Sequence, residues 1–122
     1  MMTEVGKEQI RVSTQELHPG ICEVRIEGSL DWSNFTRVEA VVNEIFQKGT
    51  YRLVVDLRGT TYISSAGFGC FISSLDVAMK NGGDIIFAAV PPDVFAVFTI
   101  LGLDKILRFA EDEAAAVKQF TA

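Results

Sequence analysis

The side chains best suited to carry chemistry are hydroxyl groups in one short stretch of the chain. Thr60 and Thr61 open this stretch, and Ser64 and Ser65 close it just before Ala66-Gly67. It lies between an apolar run typical of a strand and a pattern typical of a helix. A helix start leaves several backbone N–H groups without internal partners, and a serine can cap them. The same free donors and the positive end of the helix dipole favour a phosphate, so the stretch is a candidate modification site as well as a cap.

Alternating and continuous apolar patterns predict the strands that position these serines. Residues from Ile10 to Val12 and from Cys22 to Ile26 alternate between apolar and polar side chains, as in strands with one wet face. The His18-Pro19-Gly20 turn between them predicts an antiparallel hairpin. Further apolar runs predict strands over residues 51–57, 84–90 and 105–109.

Helical patterns fill the intervals between these strands. Ser33 is predicted to cap the first helix, which Gly49 follows, and a third and a fourth helix are predicted over residues 92–101 and 111–120. The second helix starts at the serines, and its predicted buried stripe is Phe68, Phe71, Ile72, Leu75 and Met79. A different, small and polar face of that helix carries Ser65 and Gly69, so Ser65 is expected to face solvent or a partner.

The order of elements, β-β-α-β-α-β-α-β-α, predicts an α/β fold for residues 1–122 as a single compact domain. The expected sheet is mixed, with about five strands, an N-terminal antiparallel hairpin and then alternating strands and helices, and about four helices cover it. Residues 1–8 are polar and are predicted to be a flexible N-terminus. Phe35, Phe46, Phe71, Phe87 and Phe98 are expected in the core.

Composition excludes several classes of function. The net charge of -5 and the pI of about 4.8 argue against a nucleic-acid surface, which needs clustered Lys and Arg. No apolar run approaches the roughly 20 residues of a membrane helix, and the first residues lack a secretory leader. The expectation is a cytoplasmic protein with no membrane contact. With no heptad pattern, it is predicted to be monomeric when free.

The residues of known catalytic and cofactor sites are also missing from the sequence. The one histidine, His18, lies far along the chain from Ser65, which lacks the Gly-x-Ser-x-Gly frame of a hydrolase nucleophile. Gly67-Phe68-Gly69 is too short for a dinucleotide fingerprint and has no lysine for a phosphate loop. Cys22 and Cys70 have no metal-ligand spacing and are interpreted as buried hydrophobes. No catalytic residue, metal site or cofactor is predicted, and the chain is not expected to be an enzyme.

Several motifs taken together resemble the bacterial anti-sigma-factor antagonists, whose fold is the STAS domain. The central one is Asp56-Leu57, a short loop, and then residues 62–67, Tyr-Ile-Ser-Ser-Ala-Gly. Glu27-Gly28-Ser29-Leu30-Asp31 before the first helix and Phe98-Thr99-Ile100-Leu101-Gly102-Leu103 late in the chain fit the same pattern, as does the closing acidic helix. The resemblance covers about residues 10–120.

The resemblance implies a partner-switching cycle controlled by one serine. The family's modified serine immediately precedes a small residue and a glycine, which here makes Ser65 the phosphorylation site, with Ser64 as the second choice. Many family members carry an aspartate where this chain has Ser64. The unmodified protein would bind an anti-sigma serine kinase and thereby release a sigma factor. Phosphorylation would break that complex, and a serine phosphatase would restore it, with ATP and metal belonging to those partners.

The resemblance also suggests where a partner would bind. In the family, the loop before the first helix lies close to the modified serine, which adds Asp31, Trp32 and Asn34 to a surface formed by Ser64, Ser65, Ala66, Gly67 and Gly69. Trp32 is either an anchor of that surface or a side chain packed on the hairpin. Ser65 itself could be a first-turn serine without chemistry. The alternative function is a STAS-type scaffold that regulates a non-sigma partner without a phosphorylation cycle.

Overall fold

The computed structural model describes residues 10–122, which form a six-stranded mixed sheet with helices on both faces. The strands are β1 (Ile10–His18), β2 (Ile21–Leu30), β3 (Arg52–Asp56), β4 (Thr60–Ile63), β5 (Asp84–Ala88) and β6 (Arg108–Ala110). The helices are α1 (Phe35–Gln47), α2 (Ser65–Lys80), α3 (Pro92–Ile100) and α4 (Glu113–Thr121), with a short 3₁₀ turn at Leu103–Lys105.

The long strand β2 organises the sheet. It pairs antiparallel with β1 across the predicted hairpin and parallel with two other strands in succession. Its first half, from Ile21 to Arg25, pairs with β3, and its last residues, Gly28 to Leu30, pair with β4. The sheet order is therefore β1-β2-β3-β5-β6, with β4 beside the carboxyl end of β2. This arrangement delivers the chain to α2 at that end of the sheet.

Two apolar layers hold the helices on the sheet. The larger core lies on one face and includes Val24 and Leu53 from the strands, Val42 from α1, Phe71 from α2 and Phe98 from α3. The smaller one lies on the opposite face under α4 and contains Ile21, Val54, Ile86, Ala88 and Ala116. Because strand side chains alternate between faces, the nearly continuous apolar runs of β3 and β5 supply both layers.

The structure confirms the predicted fold class and corrects several details. A sixth strand, β4, forms where a loop was expected, because Thr60–Ile63 finds an unpaired length of β2 beyond β3. The N-cap of α1 is Asn34 rather than Ser33, whose hydroxyl donates instead to Asp31. Of the five phenylalanines expected in the core, four are buried and Phe35 is half-buried.

Two residues of the predicted buried stripe of α2 are exposed instead. Ile72 is 42% exposed and Met79 is 60% exposed, whereas Phe68 and Phe71 are buried as expected. The predicted flexible N-terminus, residues 1–8, lies outside the described part of the chain. Within residues 10–122, none of the helices has both the length and the apolar character needed to cross a bilayer.

Candidate functional site

Ser65 and Ser64 have opposite environments at the start of α2. Ser65 is the first residue of the helix and is exposed. Ser64 occupies the N-cap position with extended backbone angles, φ -85° and ψ 175°, but its side chain makes no cap hydrogen bond. It is 9% exposed, its Oγ is buried without a hydrogen-bond partner, and its N–H donates to Leu30 O at 2.9 Å. Of the two hydroxyls, only that of Ser65 is accessible to a protein partner.

The next two predicted contact residues, Ala66 and Gly67, pack inward. Ala66 is 8% exposed. A Cβ added to Gly67 would lie 2.7 Å from Ile63 Cγ2 and 2.9 Å from Leu30 Cδ2, closer than carbon atoms pack. Gly67 is therefore required where α2 crosses the ends of β2 and β4. Gly69, one turn after Ser65, has open space beyond it.

The loop between β2 and α1 lies beside the serines, as the resemblance implied. Leu30 pairs with Ile63 in the sheet, so residue 31 follows directly beside residue 64. Asn34 is 5% exposed and holds the loop from within, because its amide donates to Ser29 O at 2.8 Å and its Oδ1 accepts from Asp31 N at 2.9 Å.

These contacts distinguish the predicted partner-binding residues by their exposure in the free protein, while the partner surface itself stays a prediction. The side chains of Asn34 and Ala66 and the α-carbon of Gly67 are used inside the protein, and Ser64 is almost fully buried. Ser65, Gly69 and Trp32 are exposed and Asp31 is half-buried, so these four residues are accessible to a partner. Their contact with a partner stays a prediction.

Three exposed apolar side chains lie on elements next to the start of α2. Trp32 is 70% exposed and packs edge-on against Phe35, with ring centroids 5.8 Å apart, so the interpretation that it packs on the hairpin is wrong. Ile72 is 42% exposed and lies seven residues after Ser65, on the same face of α2. Tyr62 on β4 is 56% exposed. The sequence analysis did not predict Tyr62 and Ile72 as surface residues of this site, because Tyr62 was predicted to lie in a loop and Ile72 in the buried stripe of α2.

The electrostatic setting of Ser65 suits an anion. No acidic residue occupies the first turn of α2, and none of the described side chains caps its N–H groups. The positive end of a 16-residue helix therefore faces this point without compensation. A phosphate on Ser65 would meet favourable partial charges from its own chain.

Among residues 10–122, no side chain near Ser65 is placed to act as the base of a hydrolase. His18 lies at the hairpin turn, beside the start of β2, whereas Ser64 bonds to the last residue of β2. With a rise of about 3.3 Å per residue, the ten residues of β2 separate these points by about 30 Å. The imidazole is therefore far beyond the hydrogen-bond reach that a general base needs.

Three carboxylates meet on the α4 face of the sheet, away from the serines. Oxygens of Glu23, Asp56 and Glu113 lie within 4.8 Å of one another, the spacing of a cation site. Arg25 already supplies a positive charge there, since its Nη2 lies 3.0 Å from Glu113, 3.2 Å from Asp56 and 3.8 Å from Glu23. The cluster is therefore an internal ion-pair network that joins α4 to β2 and β3.

Comparison with known proteins places this geometry in a family. A family model described as the STAS domain matches residues 13–116. The chain is 28% identical over 94 residues to the anti-sigma-B factor antagonist of Staphylococcus epidermidis, which covers 77% of this chain and 87% of that protein.

Solved structures share the fold at lower sequence identity. An anti-sigma factor antagonist from Mycobacterium paratuberculosis superposes with a TM-score of 0.84 at 19% identity, covering 96% of this chain and 98% of that one. The Bacillus cell fate determinant SpoIIAA, solved in its phosphorylated form, gives a TM-score of 0.71 at 18% identity, with coverage of 90% and 99%.

Proposed function

The chain belongs to the STAS-domain family, and from that premise we propose that it is an anti-sigma-factor antagonist regulated by phosphorylation of Ser65. It acts as a regulator rather than as an enzyme. In its unmodified form it binds an anti-sigma serine kinase and so releases a sigma factor. The observation that carries the proposal is the exposure of Ser65 at the uncapped start of α2, with exposed apolar side chains on the elements next to it.

The relatives support this function from two directions. The Staphylococcus epidermidis relative is an anti-sigma-B factor antagonist, and most of both chains align. The fold neighbour SpoIIAA exists in a phosphorylated form, so a phosphate is compatible with this architecture. A cytoplasmic location follows from the same proposal, because sigma factors act on transcription inside the cell.

The switch works through the cost of burying charge. Phosphorylation adds about -1.5 to -2 charges and three acceptor oxygens at pH 7. On the free protein this group stays hydrated and faces the positive end of α2, so the fold persists. A kinase surface packed over the neutral hydroxyl would instead enclose a dianion without a partner, which costs several kcal/mol. Such a penalty lowers affinity by a factor of hundreds or more.

The cycle then follows from the partners' own chemistry. The kinase transfers the γ-phosphoryl group of ATP to the oxygen of Ser65, with ADP as the leaving group and loss of the hydroxyl proton. The modified antagonist dissociates. A serine phosphatase hydrolyses the phosphate ester and regenerates the hydroxyl. ATP and metal are bound by these partners, and this chain supplies the substrate serine on a rigid support.

Intact-mass analysis after incubation with ATP and lysate of the source organism tests the proposal. We expect the unmodified chain to gain the mass of one phosphate. The Ser65→Ala variant should not gain it, whereas Ser64→Ala should, because the Ser64 hydroxyl is buried. Loss of phosphorylation in Ser64→Ala alone would move the site by one residue, and an unmodified wild-type chain would count against the function.

A further inference from the structure

A groove between β4 and α3 lies immediately beside Ser65. It encloses about 160 Å³, and its walls include Tyr62, Ile63, Phe68, Asp93, Val94 and Val97. Ile63 precedes Ser65 by two residues and Phe68 follows it by three, so both lie within about 10 Å of it along the chain. One wall of the groove is therefore built by the residues that flank the serine at the start of α2.

The helix α3, which forms the far wall of the groove, is apolar even on the side that is exposed to solvent. Asp93 is the one charged residue in α3. Val94 and Phe98 are buried, but Phe95, Val97 and Ile100 remain 36%, 39% and 81% exposed. A helix that is apolar on all sides is usually enclosed on all sides. Its outer face thus has the composition of an interface.

The position of the groove indicates what covers it. A kinase that phosphorylates Ser65 has to sit on the surface around that residue. A protein interface of ordinary size buries about 800 Å² per partner, a disc of about 16 Å radius. The wall of the groove formed by Ile63 and Phe68 falls inside such a disc centred on Ser65. The exposed Met79, fourteen residues along α2 and thus about 21 Å away, falls outside it.

We propose that the anti-sigma kinase inserts one apolar side chain into the β4–α3 groove, which makes the groove the anchor of the kinase complex. This inference rests on the proposed function and names a binding determinant for it. A cavity of about 150 Å³ holds a molecule the size of benzene, so the groove has room for a single large aliphatic or aromatic side chain. Asp93 at its edge and the net charge of -5 favour a lysine or arginine beside that anchor.

Steady-state kinetics with the kinase purified by its Ser65-phosphorylating activity test this assignment. Val97→Glu places a charge in the groove, and we expect it to raise the KM for the antagonist about tenfold or more with kcat unchanged, as for a lost binding contact. Met79→Glu is the matched control and should stay within about twofold of wild type. Tyr62→Ser, on the opposite wall, should raise KM in the same way. It replaces Val97→Glu as the test variant if circular dichroism shows that Val97→Glu does not fold.

The possible failures are distinguishable. An unchanged KM in the folded groove variants, with normal phosphorylation of Ser65, would overturn the groove assignment and leave the proposed function intact. A wild-type chain that is not phosphorylated on Ser65 would overturn both. Sedimentation velocity tests whether a second copy of the chain occupies the groove instead. A wild-type dimer that dissociates in the Val97→Glu variant would assign the groove to that second copy and overturn the kinase contact.

Discussion

Cys70 lies on the inner face of α2, where it is 3% exposed, and burial raises the pKa of its thiol from 9.0 to about 11, with the Glu39 carboxylate adding to the shift. The folded state therefore holds this proton more tightly than the unfolded state. The contribution of the protonated thiol to the free energy of unfolding is fully present below pH 9 and is lost as pH rises through about 11. Over that pH range, we expect the free energy of unfolding of the wild type to fall by about 2–3 kcal/mol relative to that of Cys70→Ala. Urea unfolding at each pH measures this difference. Parallel pH profiles of the two proteins would contradict this prediction.

At the scale of an element, two glycines in the first turns of α2 make a matched pair. Gly69→Ala adds a methyl group into open space and should raise the free energy of unfolding by about 0.5–1 kcal/mol, since alanine is the better helix former. Gly67→Ala forces its methyl group against Leu30 and Ile63, and it should lower the free energy of unfolding by about 1–2 kcal/mol. Urea unfolding of both variants measures the difference. Equal effects would mean that α2 does not rest on β2 and β4 as described.

Across the whole molecule, Arg25 links α4 to the two strands beneath it through Glu23, Asp56 and Glu113. Arg25→Met should lower the free energy of unfolding by about 3–5 kcal/mol, because it removes the cation that the three carboxylates share and leaves the buried Glu23 without another cation among the described residues. Asp56 keeps Arg58, whose Nη2 lies 3.5 Å from its carboxylate. Arg11→Met is the control, since Arg11 is 80% exposed in its pair with Glu27, and its removal should change stability by less than about 1 kcal/mol. A small effect of Arg25→Met in thermal and urea unfolding would show that the network is not needed to hold α4.

Sequence patterns predicted the α/β order, the hairpin and the helix that starts at the serines, because periodicity reports which faces of an element are buried. They did not predict β4, since Thr60–Ile63 becomes a strand only through the free end of β2. The same limit applies to the site. The helical pattern predicted that Ser65 faces solvent, but nothing in the sequence predicted that Ser64 is buried, because its burial comes from the packing of α2 on the sheet. Ile72 was predicted as core because its spacing fits the stripe, yet none of the elements that the structure describes covers that side of α2.

The central claim is that one added phosphate ends an association without changing the fold. The most direct test measures the affinity of the purified kinase for the unmodified chain and for the chain phosphorylated on Ser65, by calorimetry at a fixed salt concentration without ATP. Circular dichroism of both forms is the control for folding. We predict superimposable spectra and a Kd that rises by about a hundredfold or more on phosphorylation. Equal Kd values for the two forms would contradict the account and would favour a scaffold that does not depend on phosphate.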